Sequence, residues 1–506
     1  RVNYPDWGIT MDTVNIQCRS GTIIGRVRDE TILFAGIPYA EPPVGELRFK
    51  PPQPLRSSLD NFEAFKFGAA APQVSGGGMT DSAKVRWSED CLTLNISVPR
   101  AVRDEEEKGN RSVLVWIHGG GYRTGQGAIP WYNGRSFAKN HDIIVVSMNY
   151  RLGALGFADL THLGEEFSTS NVNGMLDQIA ALEWVRDNIA NFGADPNRVT
   201  IAGESAGGFS VGALMGCPSA KGLFCRAIPQ SGAASHTLPP HAAATVGAHF
   251  QKELGARSSV EVMAADVESI LSAQTKTAAY FEGFGDAQKS LGTTVSPFYP
   301  THGTTLLPES PLTAIRGGLS KGIALLTGSN GDETTLWGYG KVDQDRLDAI
   351  IQMYQARPVL DALNKELPGA SLEDLAIAVT TDHMFRIPCV RLAEAQSKLG
   401  EDTWMYLFTW KSRAFEGKLG ATHALEIPFA FNNLKQPGVD AFIGPGDLPQ
   451  HLADVMHNHW ASFIKEGNPG WEQYSENYRK TMVFNDESRV IDDPNGIVRE
   501  AWTDIR

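Results

Sequence analysis

The sequence is poor in cysteine, and that shortage excludes two architectures at once. Its 506 residues hold five cysteines, Cys18, Cys91, Cys217, Cys225 and Cys389. The density is far below that of a disulfide scaffold, and an odd count leaves at least one thiol free. No CxxC pair occurs, so a thiolate zinc site is disfavoured, and no metal or cofactor is implied. Cys217 and Cys225 stand close enough in sequence to pair, but buried free thiols are the preferred reading. No apolar run approaches the roughly 20 residues that span a bilayer, so no transmembrane segment is expected. Positive charge is in deficit, with 45 Lys and Arg against 58 Asp and Glu, for a formal net charge of −13. A general nucleic-acid binder would carry the opposite balance, so the acidity reads as a matter of solubility. No repeat of about 20–50 residues is visible, which disfavours solenoids and propellers. Oligomeric state is not written in the sequence. The chain opens at Arg1 and not Met. A leader removed before that point would make the protein periplasmic or secreted, and otherwise it would be cytoplasmic.

What is present has the rhythm of an α/β protein. Residues 113–117 (VLVWI) and 143–148 (IIVVSM) are short, β-branched and apolar on both faces, as central strands covered by helices on two sides must be. Residues 175–192 carry apolar side chains at helical spacing, with Gly193 placed to cap the C-terminus. Residues 198–202 (RVTIA) read as another buried strand, and strand, helix, strand at this spacing is a βαβ unit. Amphipathic helices are expected over residues 241–280, and further strands at 323–327 and 404–409. The charged run at 103–108 (RDEEEK) reads as a solvated loop. No linker rich in Pro, Gly and Ser divides the chain.

Gly203-Glu204-Ser205-Ala206-Gly207 follows the RVTIA strand directly. Between a strand and a helix, G-x-S-x-G forms a sharp turn that exposes a nucleophilic serine at the helix N-terminus. The amides of Ser205 and Ala206 are then expected to point at a developing oxyanion. The bland alternative is a glycine–serine turn without chemistry. His118-Gly119-Gly120-Gly121-Tyr122 follows the VLVWI strand and argues against it, because three glycines let backbone N–H groups approach a substrate unobstructed. A serine hydroxyl needs a base, and the base needs an orienting acid. His423 is the best placed of twelve histidines, just after the 404–409 strand. Asp332 and Glu333 are the candidate acids, and the residues alone do not choose between them. Arg123, next to the glycine loop, is a candidate for binding a substrate carboxylate; the alternative is a guanidinium paired within the protein.

Taken together these segments resemble the type-B carboxylesterases, the family that includes cholinesterases and many microbial esterases. The likeness rests on Ala35-Gly36-Ile37-Pro38-Tyr39-Ala40 and on Glu89-Asp90-Cys91-Leu92-Thr93-Leu94-Asn95. It extends through Asn149-Tyr150-Arg151, the elbow, Gln230-Ser231-Gly232, Asn330 to Glu333, Gly420 to Glu426 and Trp460-Ala461-Ser462-Phe463. The resemblance implies an α/β-hydrolase fold over residues 1–506, a single domain whose large, mostly parallel sheet has helices on both faces. Helical insertions near 235–320 and 340–400 would form a gorge. It implies Ser205 as nucleophile, Glu333 as acid, His423 as base, and the amides of Gly120, Gly121 and Ala206 as oxyanion donors. Glu204 and Ser231 would border the site. The expected partner is a small-molecule ester and the expected activity serine ester hydrolysis, with lipase or carbamate and amide hydrolysis as alternatives. A non-catalytic adhesion protein of the same fold would have lost the serine that stands here.

The sequence also departs from that family. Cys91 lacks the upstream cysteine with which it pairs in many secreted relatives, which favours a microbial type. The loop before it has no aromatic placed as the choline-binding tryptophan, since Trp87 stands too close to Cys91. Residues 232–239 (GAASHTLP) lack the family's tryptophan, and their small side chains predict a roomier acyl side. Microbial relatives that strip tricarballylate from fumonisin-type toxins offer a precedent for an acid-bearing ester, which Arg123 would suit.

Overall fold

The β-branched runs of the first half become neighbouring strands in a computed structural model that describes residues 12–74, 85–103, 109–282, 296–338 and 341–506. Thirteen strands of the described residues join one sheet. They are β1 (Thr13–Cys18), β2 (Gly21–Arg28), β3 (Thr31–Pro38), β4 (Phe62–Glu63), β5 (Thr93–Pro99), β6 (Arg111–Ile117) and β7 (Ile144–Met148). The second half adds β8 (Ala194–Glu204), β9 (Arg226–Gln230), β10 (Ala324–Asn330), β11 (Thr403–Phe408), β12 (Lys480–Phe484) and β13 (Arg489–Asp492). Their order across the sheet is β1-β2-β3-β5-β7-β6-β8-β9-β10-β11-β12-β13, with β4 beside β2. From β7 through β12 every neighbouring pair is parallel. The outer strands are added antiparallel on either side, except β4, which pairs parallel with β2.

A parallel sheet must be covered on both faces, and β6 shows how the sequence meets that demand. Val113, Val115 and Ile117 point into one apolar core, while Leu114 and Trp116 point into the other. Each such side chain contributes roughly 1.5–3 kcal/mol when fully buried. The expected helix is Asn173–Asn188, continued by a 3-10 turn over Ile189–Phe192 and ended by Gly193 at φ 91°, the left-handed cap that glycine adopts without strain. The segments matched at the N-terminus act as fasteners. Arg48 grips Glu89 through two nitrogens at 2.6 and 2.7 Å and donates to the carbonyls of Met263 and Ala265. Asn95 accepts from the Gly36 amide, and the Tyr39 hydroxyl donates to the Asn149 carbonyl.

Helices Pro240–Leu254 and Val267–Phe281 lie between β9 and β10. Helices Gln344–Tyr354, Arg357–Glu366, Leu372–Thr381 and Ile387–Lys398 lie between β10 and β11. The last two are joined through a turn of π-helix, Asp382–Arg386. Pro388 lacks the amide that would continue the α pattern, so the ladder loosens there without breaking. This group has a small core of its own, in which Leu347, Val359, Leu363 and Val379 meet Trp502. All five cysteines are free thiols, and Cys225 is only half-buried. No helix of the described residues is long and apolar enough to cross a membrane. Residues 104–108, most of the charged run, lie outside the described residues.

Candidate active site

Strand β8 ends at Glu204 and the helix Ala206–Met215 begins two residues later, so Ser205 alone makes the turn. Its φ of 57° and ψ of −124° are strained for a side chain other than glycine. Neighbouring glycines make the strain possible. A Cβ on Gly207 would sit 2.0 Å from the Ile117 carbonyl oxygen, one on Gly203 2.6 Å from the same oxygen, and one on Gly208 2.6 Å from the Gln230 oxygen. The elbow is thus pressed against β6 and β9 at a distance only glycine permits.

The loop after β6 packs onto the elbow from the other side. A Cβ on Gly119 would lie 2.6 Å from the Glu204 oxygen and 3.1 Å from Ser205 Cβ. Gly120 and Gly121 have φ of 111° and 61°. The amides of Gly120, Gly121 and Ala206 donate to no protein acceptor among the described residues. The Ser205 amide does not join them, contrary to the sequence-based expectation. It donates to the Gln230 carbonyl at 3.0 Å, because the turn faces it toward β9. Two aromatic residues steady the loop. The Tyr150 hydroxyl donates to the His118 carbonyl at 2.8 Å, and its ring stacks on the His118 imidazole at 4.5 Å. Burial lowers the His118 imidazole to about 4, so it stays neutral.

Glu333 begins a 3-10 turn just past β10, and His423 lies between β11 and the next helix, Ile427–Ala430. The sheet brings them together: His423 Nδ1 is 2.6 Å from Glu333 Oε2, and Glu333 is fully buried. Its other oxygen accepts from the Ser231 hydroxyl at 2.6 Å and the Asn330 amide at 2.8 Å. Asp332 faces elsewhere, accepting from the Ala421 amide at 2.9 Å, so the ambiguity between the two acids resolves in favour of Glu333 as the imidazole's partner. His423 Nε2 is 3.0 Å from Glu204 Oε1. That contact is electrostatic and badly aligned, for neither atom has a hydrogen-bond partner. No hydrogen bond joins Ser205 Oγ to His423 Nε2. Catalytic hydrogen bonds are often this loose before substrate arrives. Burial opposes a charged imidazole, yet the carboxylates of Glu204 and Glu333 outweigh it and hold His423 well above its usual range. Burial in turn pushes the Glu204 carboxyl up.

Several contributors escaped the reading of the sequence. Glu426 is a third buried carboxyl, accepting from Gln230 Nε2 at 3.1 Å and Asn330 Nδ2 at 2.7 Å. Burial, then the charges of Glu204 and Glu333, push it to about 8. Gln230 also accepts from the Trp460 indole at 3.0 Å. Phe385, from the π-helical turn, and Trp337 lie with ring centroids 4.8 and 5.0 Å from that of His423. Within the segment at 232–239 the buried His236 ring stacks on Phe209 at 3.7 Å. Arg123 pairs with the Glu282 carboxylate at 2.6 Å, with 34% and 40% of the two side chains exposed, so its charge already has a partner within the protein. No cluster of three or more His, Cys, Asp or Glu side chains among the described residues is arranged to hold a metal ion.

The profile of the Carboxylesterase family matches residues 11–497. Para-nitrobenzyl esterase of Bacillus subtilis is 37% identical over 496 residues, covering 95% of this chain and 96% of the relative. Fumonisin B1 esterase of Sphingopyxis macrogoltabida is 33% identical over 472 residues, covering 89% and 82%. Phenmedipham hydrolase of Pseudarthrobacter oxydans is 32% identical over 496 residues, covering 93% and 95%. Among solved structures, a Geobacillus stearothermophilus carboxylesterase superposes with a TM-score of 0.83 at 35% identity, over 96% of this chain and 99% of that one. With an elbow serine and a paired histidine and glutamate on a mostly parallel sheet, the chain belongs to the carboxylesterase family and is a carboxylic-ester hydrolase of the α/β-hydrolase fold.

Proposed function

We propose that the chain cleaves carboxylic esters through an acyl-enzyme on Ser205, and the observation carrying this is the buried line Ser231–Glu333–His423 beside a strained elbow serine. In this reading His423 Nε2 turns from Glu204 to take the Ser205 proton as Oγ attacks the ester carbonyl. The carboxylates of Glu204 and Glu333 stabilise the imidazolium that forms. The amides of Gly120, Gly121 and Ala206 bind the tetrahedral oxyanion, each worth about 10²–10³ in rate. The imidazolium protonates the departing alcohol, and water, activated the same way, releases the acid. Labelling by a fluorophosphonate tests the assignment: wild type takes the label on Ser205, and Ser205→Ala takes none. Labelling at another serine overturns it.

For the substrate, we favour an ester that carries a free acid group. Arg123 stands two residues past Gly121, and its partner Glu282 is exposed enough that exchanging one carboxylate for another costs about 1 kcal/mol or less. The relative named for fumonisin B1 supports the same class. Arg123→Ala lowers kcat/KM on anionic esters relative to neutral ones; an unchanged ratio rejects the idea. The relative named phenmedipham hydrolase keeps carbamates as the second reading, which profiling of acyl and leaving groups separates.

A further inference from the structure

We propose that Tyr122 is a positioning residue that ties the two halves of the oxyanion hole to each other through the hydroxyl of Ser210. The inference rests on the acyl-enzyme reading above, in which Gly120 and Gly121 form one half and Ala206 the other.

Three separate elements meet at one oxygen. Tyr122 ends the glycine loop, Ser210 lies on the helix that starts at Ala206, and Gln178 lies on Asn173–Asn188. Ser210 Oγ is 3.1 Å from the Tyr122 hydroxyl, 2.9 Å from Gln178 Nε2 and 2.9 Å from the Ala206 carbonyl oxygen. A serine hydroxyl has one proton, and a carbonyl only accepts. The serine proton is therefore shared between the Tyr122 oxygen and the Ala206 carbonyl, and the serine oxygen accepts from the glutamine. All three side chains are fully buried. Tyr122, at the end of the glycine loop, is thus linked through Ser210 to the carbonyl of Ala206, the residue whose amide is assigned to the oxyanion.

Simple packing does not call for that hydroxyl. The Tyr122 ring already contacts Phe157, Tyr299 and Phe209, with centroids 4.8, 5.5 and 6.5 Å away, and phenylalanine would fill the same space. Burying a phenol without a specific partner is unfavourable. The backbone is constrained as well. Tyr122 has φ 58°, and its carbonyl accepts from the Gly153 amide, so the residue is fixed at both ends of its own side chain. Strain held at such a point is what pre-sets donors for a transition state. Removing the tie leaves the donors present but free to wander by a fraction of an ångström, which lowers rate and leaves ground-state binding intact.

The test compares wild type with Tyr122→Phe, Ser210→Ala and the double variant on one activated ester. It also measures inhibition by an alkyl trifluoromethyl ketone. Ser205 Oγ adds to that ketone carbonyl; a C–O bond forms, the C=O π pair moves onto oxygen as an oxyanion, and the serine proton passes to His423. Tyr122→Phe is expected to lower kcat about tenfold with KM within twofold, and to weaken the ketone in parallel with kcat/KM. The double variant is expected to lose no more than the worse single one, since the hydroxyls act as a unit. Ser210→Ala gives the same reading from the helix end if Tyr122→Phe fails to fold. Rates and ketone affinity within twofold of wild type in a folded Tyr122→Phe overturn the proposal, as do fully additive losses. A wild-type chain that neither turns over esters nor binds the ketone overturns the acyl-enzyme reading itself, and the tie with it.

Discussion

Around Ser205 the constraints are contacts between backbone atoms, whereas around His423 they are charges removed from water. On the nucleophile side, Gly119, Gly203, Gly207 and Gly208 each lack a Cβ where one would strike a carbonyl oxygen at 2.0–2.6 Å. Such positions are fixed by shape and indifferent to pH. On the acid–base side, Glu204, Glu333, Glu426 and His423 are all buried within one network. Their arrangement holds because each carboxyl has donors or a counter-charge, and it changes whenever a proton is gained or lost. One side of the site is therefore vulnerable to volume and the other to charge.

The largest effect is expected from a change of charge that leaves volume alone. In Glu333→Gln, Ser231 and Asn330 still demand an acceptor at the position of Oε1. The new amide nitrogen must then face His423 Nδ1 and donate to it. That places the imidazole proton on Nε2, where the base should be empty, and kcat falls about 10⁴-fold while the fold is kept. Steady-state kinetics beside far-UV circular dichroism measures both. A loss below tenfold would mean that geometry and not tautomer governs this side as well.

A change of volume without charge strikes the other side. Gly207→Ala puts a methyl 2.0 Å from the Ile117 oxygen, against backbone atoms that cannot swing aside. The helix Ala206–Met215 must lift from β6, carrying the Ala206 amide with it. Stability is expected to fall by about 3 kcal/mol, with a loss of about 10² in kcat/KM at every pH. Urea unfolding and a pH–rate profile test this. A profile whose shape changes along with its height would show that the two sides are not separable.

The same division explains what the sequence disclosed. Steric demands are local, so they are written in the identity of adjacent residues: the glycines of the elbow and of the loop after β6 announce their geometry without a structure. The strands announce themselves as well, since β6 and β7 need apolar side chains on both faces. Charge networks are assembled from afar. Nothing near Asp332 and Glu333 says that the first will clasp Ala421 and the second His423; the choice came from resemblance alone. Arg123 meets Glu282, and Gln230 joins Trp460 to Glu426, across distances in sequence that periodicity does not reach. The ring of Phe385 reaches His423 from a π-helical turn for which only Pro388 offered a hint.

Glu426 offers the finest test, because its effect is thermodynamic and confined to one range of pH. Burial, with the charges of Glu204 and Glu333, raises its carboxyl from 4.5 to about 8. Between those values the folded chain binds a proton that the unfolded chain has released. Stability must therefore fall as pH rises through the window, by up to about 1.4 kcal/mol per pH unit, and level off above the folded value. Glu426→Gln keeps the shape and removes the titration. Its stability relative to wild type is expected to climb from about pH 4.5 to 8 and then stay constant, as read from urea midpoints at fixed pH. The nucleophile-side variant Gly207→Ala provides the contrast, since its deficit is a matter of contact and has no reason to vary across the same range. If the Glu426→Gln curve instead runs parallel to wild type, the carboxyl is ionised throughout. Its two amide donors, Gln230 and Asn330, would then outweigh burial, and this corner of the charge network would behave as the steric side does.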